Sequence, residues 1–267
     1  MNSFKPFPAF VELTDGRYGR MLYPRADQYV GRSFLEYGEF SEGELDVFRY
    51  FVQPGSVVLD IGANIGAHTV PLAQLAGPEG LVIAFEPQRI LHQILCANLA
   101  LNSITNTLAY ASALGDCVET CKIPLLDYSR PNNYGGISLD SSLEGESVPV
   151  DKLDNFQLPR VDFIKMDVEG FERKVLEGGS ETLKRCCPVL YVENDRQEKS
   201  EALIQLLLDW EYRLWWHTPQ LFNPDNFKGN PEDHFPGIVS VNMLAIPCGW
   251  DPARGLKEIT SGKDWWQ

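Results

Sequence analysis

Positive charge is scarce in this chain. It carries 23 lysines and arginines against 37 aspartates and glutamates, a formal charge of −14 over 267 residues. Phosphate backbones are bound through basic faces, so nucleic acid is not an expected partner. Anionic membrane surfaces attract basic segments and are set aside on the same ground. A neutral or cationic small molecule fits better, and part of the charge serves solubility. No apolar run reaches the roughly 18 residues of a spanning helix. The opening MNSFKPFPAF lacks an apolar core of signal-peptide length. None of the six cysteines, at 96, 117, 121, 186, 187 and 248, forms a C-x-x-C pair. That leaves no zinc or redox motif. The cysteines read as reduced, mostly buried thiols of a cytoplasmic protein. No internal repeat is present.

What is there is ample apolar material, 44% of residues. It suits one large α/β domain better than two small ones. Apolar strands are expected at 57–60, 81–85, 107–114, 161–166 and 189–192. Helical periods lie between them at 65–76, 88–101, 171–185 and 198–210, and late strands near 212–217 and 239–246. Continuous apolar strands alternating with helices imply a parallel sheet covered on both faces. Residues 1–50 form a lead-in, with a short strand over 18–23 and an amphipathic helix over 44–51 that Pro54-Gly55 ends. The core domain spans 51–250, and 251–267 form a tail. Residues 116–160 break the rhythm: strands near 119–125 and 147–150 flank the loop Pro131 to Gly136. This insertion and the aromatic, proline-rich loop 218–236 are expected to border an acceptor.

The stretch Val57-Val58-Leu59-Asp60-Ile61-Gly62-Ala63-Asn64-Ile65-Gly66 is the most informative. An apolar strand runs into a glycine-punctuated turn, where a ligand can approach unpaired helix amides. The next strand, Leu81 to Phe85, ends in Glu86-Pro87. A carboxylate at that tip commonly holds the hydroxyls of a ribose. A nicotinamide dinucleotide would need G-x-G-x-x-G. The spacing here is Gly62-x-x-x-Gly66, and Asp60 would repel a pyrophosphate. S-adenosylmethionine, cationic at sulfur and at its amine, fits better.

Four segments occur in order: Asp60 to Gly66, Ala84-Phe85-Glu86-Pro87, Ala113-Leu114-Gly115-Asp116, and Asp162 to Glu172 (DFIKMDVEGFE). Together they resemble the FkbM-type S-adenosylmethionine-dependent methyltransferases over about residues 35 to 195. The first segment is shared with many methyltransferases, and KMDVEGFE is far more particular. The resemblance implies a Rossmann-like class I methyltransferase fold: a mostly parallel seven-stranded sheet with helices on both faces and the last strand antiparallel. It implies cofactor contacts at Asp60, Gly62, Asn64, Gly66, Glu86, Pro87, Ala113, Asp116 and Asp167. It implies O-methylation of a sugar, glycan or secondary-metabolite hydroxyl. An N- or C-methyltransferase, or a silent cofactor-binding module, are the alternatives.

Ligands of open α/β sheets gather beyond the carboxyl ends of the strands. That places Asp60, Glu86, Asp116, Asp167, Glu193 and His217 on one rim, an acidic setting for a sulfonium. A hydroxyl needs a base to become a good nucleophile. Asp167 and Glu169 are the leading candidates. Lys165 alternates with them, and a lysine in so apolar a run needs a carboxylate partner; an ion pair that only fixes the strand end is the other reading. His217 is either a second base or packing for Trp215 and Trp216. His68 is a further residue that could face the acceptor. Asp167, Glu169, Glu193 and Asp195 also make an oxygen set suited to Mg²⁺, which the sequence does not require.

Overall fold

The computed structural model describes residues 9–138, 144–249 and 255–267. The first eight residues of the lead-in, 139–143 of the insertion, the last residue of the core domain and 251–254 of the tail lie outside it. The lead-in is an antiparallel hairpin, β1 (Val11–Gly16) and β2 (Gly19–Pro24), then helices α1 (Val30–Tyr37) and α2 (Glu42–Phe51). The core follows as β3 (Val57–Ile61), α3 (Thr69–Ala76), β4 (Leu81–Phe85), α4 (Arg89–Leu101) and β5 (Thr107–Tyr110). The insertion contributes β6 (Ala113–Leu114), β7 (Glu119–Ile123) and β8 (Glu146–Asp151). Then come β9 (Phe163–Met166), α5 (Glu172–Gly178), α6 (Ser180–Cys186), β10 (Val189–Glu193) and α7 (Gln197–Asp209). The chain ends with β11 (Tyr212–His217), β12 (Asn242–Pro247) and β13 (Lys257–Ile259).

The main sheet has the order β13-β11-β12-β10-β9-β3-β4-β5. Strands β3, β4, β5, β9 and β10 are parallel, and β12 runs antiparallel to both β10 and β11. This is the class I methyltransferase order, with one correction. The sheet has eight strands, not seven, because the tail supplies β13 along β11. Ile259 is 2% exposed there, and β13 pairs an edge that would otherwise stand open. Successive strand residues bury on opposite faces, as period two requires. Leu59, Ile83, Ile164 and Leu190 pack into one apolar layer. Val58, Val82, Phe163 and Tyr191 pack into the other. Burial on both faces is why these strands read as unbroken apolar runs.

Several local expectations need correcting. The strand anticipated over 107–114 is two strands in two sheets. β5 ends at Tyr110, while Ala113–Leu114 pair with β8 in a separate sheet of order β6-β8-β7. The helix anticipated over 171–185 breaks at Gly178-Gly179. A Cβ on Gly178 would lie 1.9 Å from the Gly115 carbonyl oxygen, so the backbones touch where no side chain fits. Regular α-helix begins at Thr69 rather than 65, because the glycine turn occupies the interval. The cysteines are not mostly buried: Cys96, Cys117, Cys187 and Cys248 are exposed, and Cys121 and Cys186 half-buried. No helix among the described residues is long and apolar enough to cross a membrane.

Candidate active site

Parallel strands end on the same edge, so the tips of β3, β4, β9 and β10 converge on one cleft. Its first half grows from the glycine turn. Gly62 and Ala63 both donate their N–H groups to the Phe85 carbonyl, at 3.0 and 2.9 Å. Gly62 has φ +83°, and a Cβ there would meet the Asp167 carbonyl oxygen at 1.8 Å. No other residue fits. Asn64 also takes positive φ, 51°. This turns its N–H onto Glu86 Oε2 at 2.8 Å, while the Gln88 N–H reaches Glu86 Oε1 at 2.7 Å. Glu86 is 4% exposed. Burial pushes its carboxyl up to about 7 even though both amides oppose the shift.

The insertion roofs this half. Gln88 Nε2 donates to the Tyr134 carbonyl at 2.7 Å, and Asn133, Gly135 and Ile137 line the cleft. The lead-in anchors the roof: Tyr134 N–H donates to Asp27 Oδ2 at 3.2 Å, and the Gln28 and Asn132 backbones bond across the gap. The insertion lies over Asn64 and Gln88, beside Glu86. Of the loop 218–236, Leu221 lines the cleft. Most of that loop instead clamps onto the lead-in through Glu39, which accepts from Arg17, Asn223 and the Phe227 N–H. Ile238 to Asn242 supply a further stretch of the cleft wall.

The second half is acidic. Lys165 Nζ donates to the Gly62 carbonyl at 3.1 Å and lies 3.5 Å from Asp167 Oδ2 and 3.6 Å from Asp60 Oδ1. Burial works to lower the Lys165 pKa, yet the charges of Asp167, Asp60, Glu44 and Glu193 hold it above the ordinary lysine value. Lysine thus pairs with Asp167 as expected, and with Asp60 across the strand. Glu169 does not share that pairing. The strand ends at Met166, and Glu169 sits at φ 57° with its carboxylate on Arg196. Oxygens of Asp167, Glu169 and Glu193 all lie within 4.8 Å of one another. Burial, then the Asp167 charge, pushes Glu169 up to about 8 and Glu193 well above the usual carboxylate range.

Gly62, Asn64, Glu86, Pro87, Ala113, Lys165, Asp167 and Glu169 line the cleft. Four other candidates do not. Asp60 is 0% exposed, with Oδ2 taken by the Thr69 hydroxyl at 2.6 Å. It therefore fixes Lys165 and the start of α3 from beneath. Gly66 lies under the turn against Leu95. Asp116 is exposed beyond the roof. His217 bonds Tyr191 Oη through Nδ1 at 2.8 Å and borders a separate shallow depression with Trp216. Sequence reasoning missed Glu44, Gln88 and Asn242. Glu44 is 4% exposed, lines the cleft and accepts from the Ser41 hydroxyl at 2.7 Å. Ser41-x-x-Glu44 reads locally as a capping box, a signal that says nothing about a cleft.

Residues 60–214 match the model of the methyltransferase FkbM domain. The chain belongs to the FkbM methyltransferase family. "Methyltransferase 1" of Beauveria bassiana (strain ARSEF 2860) is 27% identical over 168 residues, 52% of this chain and 66% of that one. A methyltransferase FkbM structure from Methylobacillus flagellatus KT aligns at TM-score 0.47 and 17% identity, over 72% of this chain and 44% of its own. A SAM-dependent methyltransferase from Aquifex aeolicus aligns at TM-score 0.44 and 20% identity, over 80% and 92%. The chain thus spans less than half of the Methylobacillus protein and about two thirds of the fungal one.

Proposed function

We propose that this FkbM-family protein transfers a methyl group from S-adenosylmethionine to a hydroxyl of a small molecule, a sugar, glycan or secondary metabolite. The observation that carries the reading is the pairing, in one cleft, of a glycine turn with a buried carboxylate at one end and a buried lysine–carboxylate cluster at the other. The first end suits an adenosine moiety. Glu86 keeps lone pairs after its two amide bonds, and the position of Gly62 leaves no side chain over the turn. The second end suits a cation and a proton transfer. Asp167, Glu169, Glu193, Asp195 and Glu44 face the cleft against Lys165. S-adenosylmethionine, as substrate, supplies an electrophilic methyl on sulfur. This chain's residues hold and orient the partners, which supplies much of the rate in an in-line displacement.

The acidic wall also bears on the acceptor. A phosphorylated or otherwise anionic acceptor meets carboxylates at close range, so neutral polyols and phenols are favoured. The Asp167–Glu169–Glu193 oxygens have the chemistry to hold a hard cation, and the reading does not depend on one.

Two measurements test it. Calorimetry with S-adenosylhomocysteine should show binding at one site per chain, and no binding sinks the cofactor assignment. Mass spectrometry over a panel of glycosides, phenols and amines should find products heavier by one methylene, with the methyl on oxygen. Methyl on nitrogen or carbon would transfer the protein to the corresponding class of acceptor.

A further inference from the structure

Among the described residues lining the cleft, two buried side-chain polar atoms have no hydrogen-bond partner within the protein: Glu193 Oε2 and His68 Nε2. They differ in kind. Burial and the neighbouring Asp167 and Glu169 push the Glu193 carboxyl well above the usual carboxylate range, and their oxygens lie within 4.8 Å of its own. His68 presents a lone pair. The residue is 4% exposed and precedes α3 directly after the glycine turn. Phe40 and Phe48 pack against the ring at centroid distances of 5.6 and 5.3 Å, the second edge-on. A backbone hydrogen bond to Phe40 acts on the imidazole. With Nε2 unpartnered, the proton belongs on Nδ1, and the orienting bond fixes the tautomer. Burial first, and then the charge of Lys165, keep the ring well below the ordinary histidine pKa and hence neutral.

We infer that His68 is the catalytic base, with Nε2 accepting the proton of the acceptor hydroxyl during methyl transfer. The inference rests on the O-methyltransferase reading. The acceptor oxygen forms a bond to the methyl carbon as the carbon–sulfur bond breaks, its electron pair staying on sulfur. The hydroxyl proton passes to Nε2, giving an imidazolium. The cleft then loses one cation at sulfur and gains one at the ring, so its net charge is unchanged. A weak base suffices, because the hydroxyl becomes strongly acidic only as the new carbon–oxygen bond forms, and proton transfer is needed only then. Competing carboxylates are less free. Asp167 is engaged by Lys165 at 3.5 Å and Glu169 by Arg196.

The decisive readout does not need turnover. In the S-adenosylhomocysteine complex of the full chain at neutral pH, nitrogen NMR of ¹⁵N-histidine should show His68 neutral, protonated at Nδ1 and bare at Nε2. A proton on Nε2, or a charged ring, overturns the inference whatever the acceptor. His68→Gln and His68→Ala should then be assayed with the glycoside and phenol panel. Both should keep S-adenosylhomocysteine affinity within a few-fold and lose O-methylation by about 10²-fold or more. Added imidazole should partly restore His68→Ala. His68→Gln turning over at the wild-type rate overturns the base while leaving the function intact. Wild-type transfer confined to amines overturns the hydroxyl reading and the base together. If the wild type methylates nothing on the panel, the O-methyltransferase reading fails and the ring's protonation alone decides the histidine's chemistry.

Discussion

Asp60 on β3 and Glu86 just past the end of the neighbouring β4 are 0% and 4% exposed, and are held in opposite ways. Glu86 is satisfied by backbone amides of its own neighbourhood, Asn64 and Gln88. Asp60 depends on a hydroxyl and on the ammonium of Lys165, more than a hundred positions along the chain. One end of the cleft is built from local hydrogen bonds and little net charge. The other is a balance of charges drawn from α2, β3, β9 and β10 around one lysine. Damage to the first end should therefore stay local, whereas damage to the second should spread.

The sharpest way to break this contrast is Lys165→Met. It leaves Asp60 buried without a counter-charge, and removing one partner of a buried ion pair typically costs about 3–5 kcal/mol. Chemical denaturation should register that loss, and a stability close to wild type would show the acidic half to be self-sufficient. Asp167→Asn comes next. It keeps the shape and removes the charge that holds Lys165 beside the cleft, so turnover should fall by about 10²-fold through misplaced groups rather than a lost base. S-adenosylhomocysteine affinity should barely change. Loss of stability at full specific activity would make Asp167 a strut for Lys165.

Glu86→Ala should do the reverse. Calorimetry should show S-adenosylhomocysteine binding weakened by roughly 1.5–3 kcal/mol, the range for a hydrogen bond to a charged group. Unchanged affinity would remove the ribose assignment. The smallest effect expected is a pH dependence shared by both halves. Glu44 and Glu86 are raised to about 7 and Glu169 to about 8, burial being the main cause in each. Raised carboxyls mean that the folded protein binds more protons than the unfolded chain above the ordinary carboxylate range. Their contribution is present at low pH and is lost as pH rises through 7 and 8. His68, whose pKa is lowered, acts oppositely, but below its ordinary value of about 6.5. Between pH 6.5 and 8 the carboxyls prevail. The ligand-free protein should lose stability across that interval, and thermal melts that rise with pH instead would contradict the assigned burial.

The parts legible in the sequence are those whose physics is local. Unbroken apolar runs gave away strands buried on both faces. Gly62 announced a turn because φ +83° and the nearby Asp167 carbonyl admit no Cβ. Glu86 was marked by its place at a strand tip, and its partners lie within the same βαβ unit. Even the Lys165–Asp167 pairing followed from a lysine too costly to bury alone.

What only the tertiary structure decided depends on register and on contacts between distant segments. Asp60 looks like a cofactor ligand in sequence, but the sheet turns it down onto Thr69 and Lys165. His217 looks like a base until β11 places it against Tyr191, outside the cleft. The insertion's position beside Glu86 rests on Asp27 and Gln88 bonds to Tyr134 that no local pattern encodes. Glu44 and His68 enter the cleft only because α2 and the start of α3 pack together there, bringing Phe48 against the His68 ring. Sequence fixes what a residue's chemistry and its near neighbours demand. Which of two chemically similar side chains meets the ligand is settled by how the sheet and its helices assemble.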